Sequence, residues 1–391
     1  MNTRYLNLDT EELKQIGAYY TATEIAGQPS LWRKTFEKFK KELQEIKRFV
    51  KRVSSNEKLN IILAGAGTSA FIGDALAPIF AKHTKHFTKA VPTTDIVTHP
   101  EYYFNENSPV LMISFARSGD SPESVKAVEL ANKICDKIHH LIITCNPDGN
   151  LARMAESSAN DFTFLLPPEA NDKSLAMTGS FTSMTLVGLM FAFLDKFELV
   201  EKNMETLIKY GERILNAYTN DLQNVALIDF DRAVFLGSGF FGGVARESHL
   251  KLQELTDGKI ICKFDSFLGF RHGPKAVMNE RALISFIFSN DEYAQKYERD
   301  LVNSIVTGKS AAYKMGVSEN EIKNVNLDLN IILNGNGEKI PQEFLLPVSV
   351  LPAQILGFYK SIDFGLSPDN PSVSGLISRV VEGVKLYEYA V

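Results

Sequence analysis

Hydroxyls and one guanidinium crowd the stretch Ser114-Phe-Ala-Arg-Ser-Gly-Asp-Ser-Pro-Glu-Ser124, where the apolar run 109–113 hands over to a helix. Ser121-Pro122 reads as an N-cap followed by proline in the first helical turn. At such a junction free backbone N–H groups and the positive end of the helix dipole face whatever sits above the strand, which is the chemistry of an anion seat. Ser114, Ser118 and Ser121 add hydroxyl donors, and Arg117 adds a permanent positive charge. The alternative is a plain helix cap, but a cap uses one hydroxyl and this turn holds several.

A second set lies upstream, where Gly65-Ala-Gly67-Thr-Ser-Ala70 follows the apolar run 59–64. Its glycines fit the G-x-G-x-x-A turn of dinucleotide domains, in which Gly67 would let the backbone approach a pyrophosphate. That reading also needs an acidic residue at the end of the next strand, and the segment 85–92 ends without one. Thr68 and Ser69 instead suit a monophosphate held between this turn and the Ser118 turn, at the carboxyl edge of one sheet.

Glu247, Lys251 and Glu254 recur at steps of four and three, which places them on one face of a helix. Such a face is either a solvated ion-paired surface or a proton-transferring carboxylate array with its own cation. Downstream, Arg271-His272-Gly273-Pro274-Lys275 sets an imidazole between cations in a Gly/Pro turn. His272 there is either an ordinary loop residue or an acid–base group that titrates near neutral pH, with Arg271 and Lys275 as substrate-binding cations. His83, His86, His99, His139 and His140 have no metal-ligand spacing, so neither metal nor other cofactor is expected.

Those groups must be positioned by the elements around them. The 391 residues have room for more than one domain, and 45% hydrophobic with 23% charged residues describes a globular chain. A net charge of -5 with no dense basic block argues against nucleic acid. Three scattered cysteines read as reduced thiols, and a polar start with no membrane-length apolar run predicts a cytoplasmic protein without membrane contact.

Residues 30–53 carry one apolar helix face. Strands are expected over 59–64, 110–114, 140–145 and 161–166, then 233–237, 258–264, 282–288 and 331–333, with helices over 179–197, 200–220, 242–255, 292–307 and 348–362. Ile61-Ile-Leu-Ala-Gly65-Ala-Gly67 and Val234-Phe-Leu-Gly237-Ser-Gly239 start the two halves alike, which suggests an internal duplication. The expected fold is α/β, with two doubly wound parallel-sheet domains that form three-layer α/β/α sandwiches. The expected division is a helical segment over 1–55, a first domain over 56–200 and a second over 215–391 with its tail.

Taken in order, Gly65-Ala-Gly-Thr-Ser69, Ser118-Gly-Asp-Ser121, Glu247-x-x-x-Lys251-x-x-Glu254 and Arg271-His-Gly-Pro274 resemble the sugar isomerase (SIS) family. The likeness reaches the isomerase half of glucosamine-6-phosphate synthase and, more specifically, the AgaS-type galactosamine-6-phosphate deaminase/isomerases. Thr21-Ala-Thr-Glu-Ile25, Gln28-Pro29, Leu31-Trp32, Ser367-Pro-Asp-Asn-Pro371 and Arg379-Val-Val381 extend it over nearly the whole chain.

The resemblance implies two SIS domains in a homodimer or higher homo-oligomer with shared active sites, acting on a small phosphosugar. It implies that Ser69, Ser118 and Ser121 hold the phosphate and that Glu254 moves a proton between C1 and C2. Glu247 and Lys251 would polarise the open-chain sugar, and His272 would assist ring opening, often from a neighbouring chain. An amino-sugar 6-phosphate would then give a ketose 6-phosphate and ammonia. Rivals are isomerisation without deamination, a non-catalytic phosphosugar sensor and, most remotely, a nicotinamide dehydrogenase. No cysteine precedes Cys135, so glutamine-dependent amidotransfer is not expected. Where the synthase carries an imine-forming lysine this chain has Ser378 and Arg379, so either the amine chemistry proceeds without that covalent step or a different lysine, such as Lys275 or Lys385, takes part.

Overall fold

The computed structural model describes residues 3–54, 58–305, 313–381 and 383–389. The chain forms two compact units. One comprises Leu31–Asn171, Gly179–Val200 and Ile377–Val391; the other comprises Met1–Ser30, Asp172–Thr178 and Glu201–Leu376.

The first unit holds β1 (Asn60–Gly65), β2 (Phe87–Pro92), β3 (Val110–Ala116), β4 (Ile138–Thr144) and β5 (Phe162–Leu165) in one parallel sheet of order β2-β1-β3-β4-β5. All seven residues of β3 are buried, Ser114 among them, as a strand between two helical layers requires. On one face Val110, Met112 and Ala116 join Ala127, Val128 and Ala131 of the helix Pro122–Ile134. On the other, Gly188 lets the helix Gly179–Ala192 approach Phe115 and Leu76.

The second unit repeats the plan with β6 (Arg232–Gly237), β7 (Ile261–Asp265), β8 (Ala282–Ile287), β9 (Tyr313–Ser318) and β10 (Leu329–Ile332). Its parallel order, β7-β6-β8-β9-β10, is the first order counted over again. In such sheets the crevice where ligands bind opens where the order reverses, between the first and third strands of each unit.

The two G-x-G turns divide their labour identically. A Cβ on Gly65 would lie 2.5 Å from the Ser69 carbonyl carbon, and one on Gly237 would lie 2.4 Å from the Phe241 carbonyl oxygen. Gly67 and Gly239 adopt φ of +54° and +59°, where a side chain is strained. Gly65→Ala is therefore expected to force the start of the helix Thr68–Thr84 off β1, at a cost of about 1–3 kcal/mol in urea unfolding.

Several boundaries differ from expectation. β9 escapes the apolar pattern because Lys314, Gly316 and Ser318 interrupt it, and β7 starts only at Ile261 because Gly258 sits in a left-handed turn at φ +72°. The segment expected as one helix over 200–220 is an α-helix, Phe197–Arg213, a π-helical turn, Ile214–Tyr218, and a further helix, Thr219–Ala226. The expected end of the helix at Thr307 and the expected boundary at 55/56 lie outside the described residues. The helical stretch Gln342–Asp363 has the length and hydropathy of a membrane span, yet 94% of its apolar window is buried, so it is a core element.

Two motifs far apart in sequence meet in the second unit. Asp369 of Ser367-Pro-Asp-Asn-Pro371 accepts from the backbone N–H of Tyr20 and Thr21 at 3.1 and 2.7 Å, capping the helix Tyr19–Ala26. Further along that helix, Glu24 accepts from the N–H of Lys173 and from the Ser174 hydroxyl. Burial, reinforced by nearby Asp172, raises the Glu24 carboxyl to about 8.

Candidate active site

Thr68 and Ser69 open the helix that leaves β1, each 5% exposed, with Gly67 as the residue before the first turn. The Ser118 turn leaves the neighbouring strand, since Ala64 pairs with Ser114 across β1 and β3. Both turns therefore stand side by side at the carboxyl edge of the first sheet, as their spacing predicted. Ser118 and Ser121 are half-buried, while Ser114 lies within β3, 2% exposed. Ser121 is the N-cap residue and Pro122 follows it, yet the hydroxyl does not close the helix end; it donates to Ser124 Oγ at 2.8 Å. Buried Arg117 donates through its guanidinium to the carbonyl of Arg379 in the tail.

Sequence reading missed the support beneath this turn. Asn146 Nδ2 donates to the Ser118 carbonyl at 2.9 Å and lies 3.4 Å from Asp120 Oδ2. Asp120 Oδ1 accepts from the Asn150 N–H at 2.9 Å, at the start of the helix Asn150–Glu156. The Asp120 carboxylate is thus anchored on the β4 loop. Asn-Pro-Asp-Gly after β4 is a turn signature, and that was the available clue.

In the second unit, the helix Phe241–Leu255 gathers Glu247, Lys251 and Glu254 on one face as the spacing required. Lys251 Nζ lies 3.3 Å from Glu247 Oε1 and 2.6 Å from Glu254 Oε2. The Lys251 and Glu247 side chains are fully buried, whereas that of Glu254 is 23% exposed, so this is no solvated face. Burial pulls the Lys251 ammonium down, but Glu247 and then Glu254 outweigh it and hold its pKa above the ordinary lysine value. Lys251 is a fixed cation. His249, two residues from both Glu247 and Lys251 and so on the opposite side of the helix, packs against Phe264 and is pushed down to about 4, mainly by burial. Gly357 brings the helix Leu351–Asp363 against this array: a Cβ there would meet Leu255 Cδ1 at 2.8 Å and the Lys251 carbonyl at 3.2 Å.

His272 is exposed in the turn after the helix Phe267–Phe270. Its neighbours are engaged with the helix Glu292–Ser304: Arg271 pairs with Asp300 at 2.7 Å, and Lys275 Nζ donates to the Ser304 carbonyl at 3.1 Å. The hydroxyl turns and Arg117 thus belong to one unit, and the carboxylate helix and the His272 turn belong to the other.

Residues 55–194 match the family model described as "SIS domain". Over 98% of its length the chain is 39% identical to the D-galactosamine-6-phosphate deaminase AgaS of Shewanella sp. (strain ANA-3), covering 96% of that protein. The chain belongs to the AgaS group of SIS-domain proteins. It is also 38% identical, over 95% of its length and 96% of the relative's, to the D-galactosamine-6-phosphate deaminase AgaS of Escherichia coli. A solved structure named tagatose-6-phosphate ketose/aldose isomerase from Escherichia coli superposes with a TM-score of 0.84 at 35% identity, over 95% of this chain and 97% of that one.

As an AgaS-group chain it presents Ser378 and Arg379 where a lysine was sought. Arg379 donates to Asn171 Oδ1 at 2.8 Å, and Ser378 Oγ donates to the Val380 carbonyl. Of the two lysines considered in its place, Lys275 is bonded as above, and Lys385 sits 5.1 Å over the Tyr387 ring.

Proposed function

We propose that this chain is a deaminating aldose–ketose isomerase that converts D-galactosamine 6-phosphate to tagatose 6-phosphate and ammonia. The observation that carries the chemistry is the Glu247–Lys251–Glu254 array, a buried cation clamped by two carboxylates of which only Glu254 is partly open. In this reading the phosphate dianion is held by Thr68, Ser69, Ser118 and Ser121, at the dipole ends of two helices. His272, presented by a neighbouring copy in a homo-oligomer, assists ring opening. Arg271 and Lys275 lend the cations of that turn.

Glu254 then removes the C2 proton of the open-chain aldehyde while Lys251 offsets the charge that develops on the C1 oxygen. Return of the proton at C1 converts the enolamine to a ketimine at C2. Water hydrolyses that ketimine to ketose and ammonia. The nitrogen belongs to the substrate, so this direction needs no lysine imine. The setting is the cytoplasm, where buried Cys135 and Cys145 stay reduced.

A second reading, isomerisation without deamination, is favoured by the name of the Escherichia coli structure and uses the same base. An ammonia assay across hexosamine and hexose 6-phosphates separates the two. Equal amounts of ammonia and ketose phosphate from galactosamine 6-phosphate support deamination; ketose from galactose 6-phosphate with no ammonia from any amino sugar rejects it. Ser118→Ala and Ser121→Ala are each expected to weaken substrate binding by about 1.5–3 kcal/mol, the worth of a charge-assisted hydrogen bond, with KM the quantity to measure.

A further inference from the structure

We infer that Asn146 is a positioning residue of the phosphate turn, and that what it positions is the backbone N–H of Gly119, a further donor to the bound anion. The inference rests on reading that turn as the phosphate seat. In a planar trans peptide the carbonyl and the following N–H point in opposite directions. The Ser118 carbonyl is held by Asn146 Nδ2 at 2.9 Å, and the Gly119 carbonyl is held by the Leu151 N–H at 3.1 Å. Both acceptors therefore face the loop that leaves β4. The N–H groups of Gly119 and Asp120 must face the other way.

The strand order says what lies there. β3 has β4 on one side and β1 on the other, so a direction away from the β4 loop is a direction toward the Gly65–Ser69 turn. The Asp120 N–H reaches the Ser118 Oγ at 3.3 Å, which fixes that hydroxyl on the same side. Gly119 has φ +73°, the left-handed member of the backbone concavities that bind anions. The Asp120 side chain, whose charge would repel a phosphate, is bonded to the Asn150 N–H on the loop side. Gly149 makes the arrangement possible: a Cβ there would lie 2.4 Å from the Ser118 carbonyl oxygen and 3.2 Å from Gly119 Cα.

Two substitutions test this in the full-length chain. Asn146→Asp keeps the shape but replaces the donor with a carboxylate facing a carbonyl, and Gly149→Ala pushes the turn from below. For each variant shown to be folded by circular dichroism, the Kd for inorganic phosphate and for galactosamine 6-phosphate by calorimetry is expected to rise about tenfold or more, the equivalent of one lost charge-assisted hydrogen bond. KM should rise in parallel, while kcat at saturation and its pH profile stay as in the parent, because the base is untouched. Asn146→Ser, which retains a short donor, should recover part of the loss. If the parent binds no phosphate, the seat itself is refuted and this inference with it. If the parent binds phosphate and a folded Asn146→Asp or Gly149→Ala chain binds it equally well, or loses kcat at unchanged Kd, the positioning role alone is refuted.

Discussion

Glu254→Gln is expected to lower kcat by about 10² to 10⁴, the usual contribution of a positioned general base, while leaving phosphosugar affinity close to the parent value. The amide is nearly isosteric but cannot accept the C2 proton. It still offers an oxygen to Lys251, which now lies 2.6 Å from Glu254 Oε2, so the helix face should hold. A Glu254→Gln chain that turns over normally would remove the carboxylate from the chemistry. One that fails to bind phosphosugar would assign Glu254 to the binding of substrate instead.

Replacing Lys251 should have the largest effect on stability. Its ammonium is wholly buried with Glu247 at 3.3 Å, so Lys251→Met strands a buried carboxylate without its counter-ion. Breaking a buried pair from one side costs about 3–5 kcal/mol, readable as a shift in the urea midpoint, and activity should vanish with the charge stabilisation at C1. The double variant Glu247→Gln/Lys251→Met removes the stranded charge and should recover much of the stability without recovering activity. Stability restored together with turnover would show that the cation has no part in the reaction. A Lys251→Met chain as stable as the parent would show that the pair is not sealed from water.

Most of the fold could be read because its signals are local and strong. β3 and β8 are apolar runs broken by a single serine each, Ser114 and Ser285, and a run buried on both faces declares itself by composition. The G-x-G turns were legible for the same reason: a Cβ at Gly65 or Gly237 has nowhere to go, so the glycine is dictated by its own helix start. β9 was not legible, because Lys314 and Gly316 break its pattern and their burial depends on neighbouring strands.

The site divides along the same line. Glu247, Lys251 and Glu254 share one helix, so helical periodicity alone places them together. Spacing could not say that two of them are fully buried, which is what rules out a solvated surface ion pair. Arg117 is expected as a phosphate ligand from its position in the turn; that its guanidinium also donates to the Arg379 carbonyl, 262 residues away, is invisible to local reading. Asn146 and Gly149 escaped notice because they act on the turn through its carbonyls rather than by belonging to it. Asp369, likewise, is a helix cap supplied from 348 residues away from Thr21.

The most direct test follows the hydrogen that Glu254 is said to move. Galactosamine 6-phosphate labelled with deuterium at C2 should react more slowly than the unlabelled sugar. Its ketose product should carry the label at C1, less whatever exchanges with water at the carboxyl group. An aldose product that still held deuterium at C2, with ammonia released at the unlabelled rate, would mean that the amine leaves by direct displacement and that no base acts there.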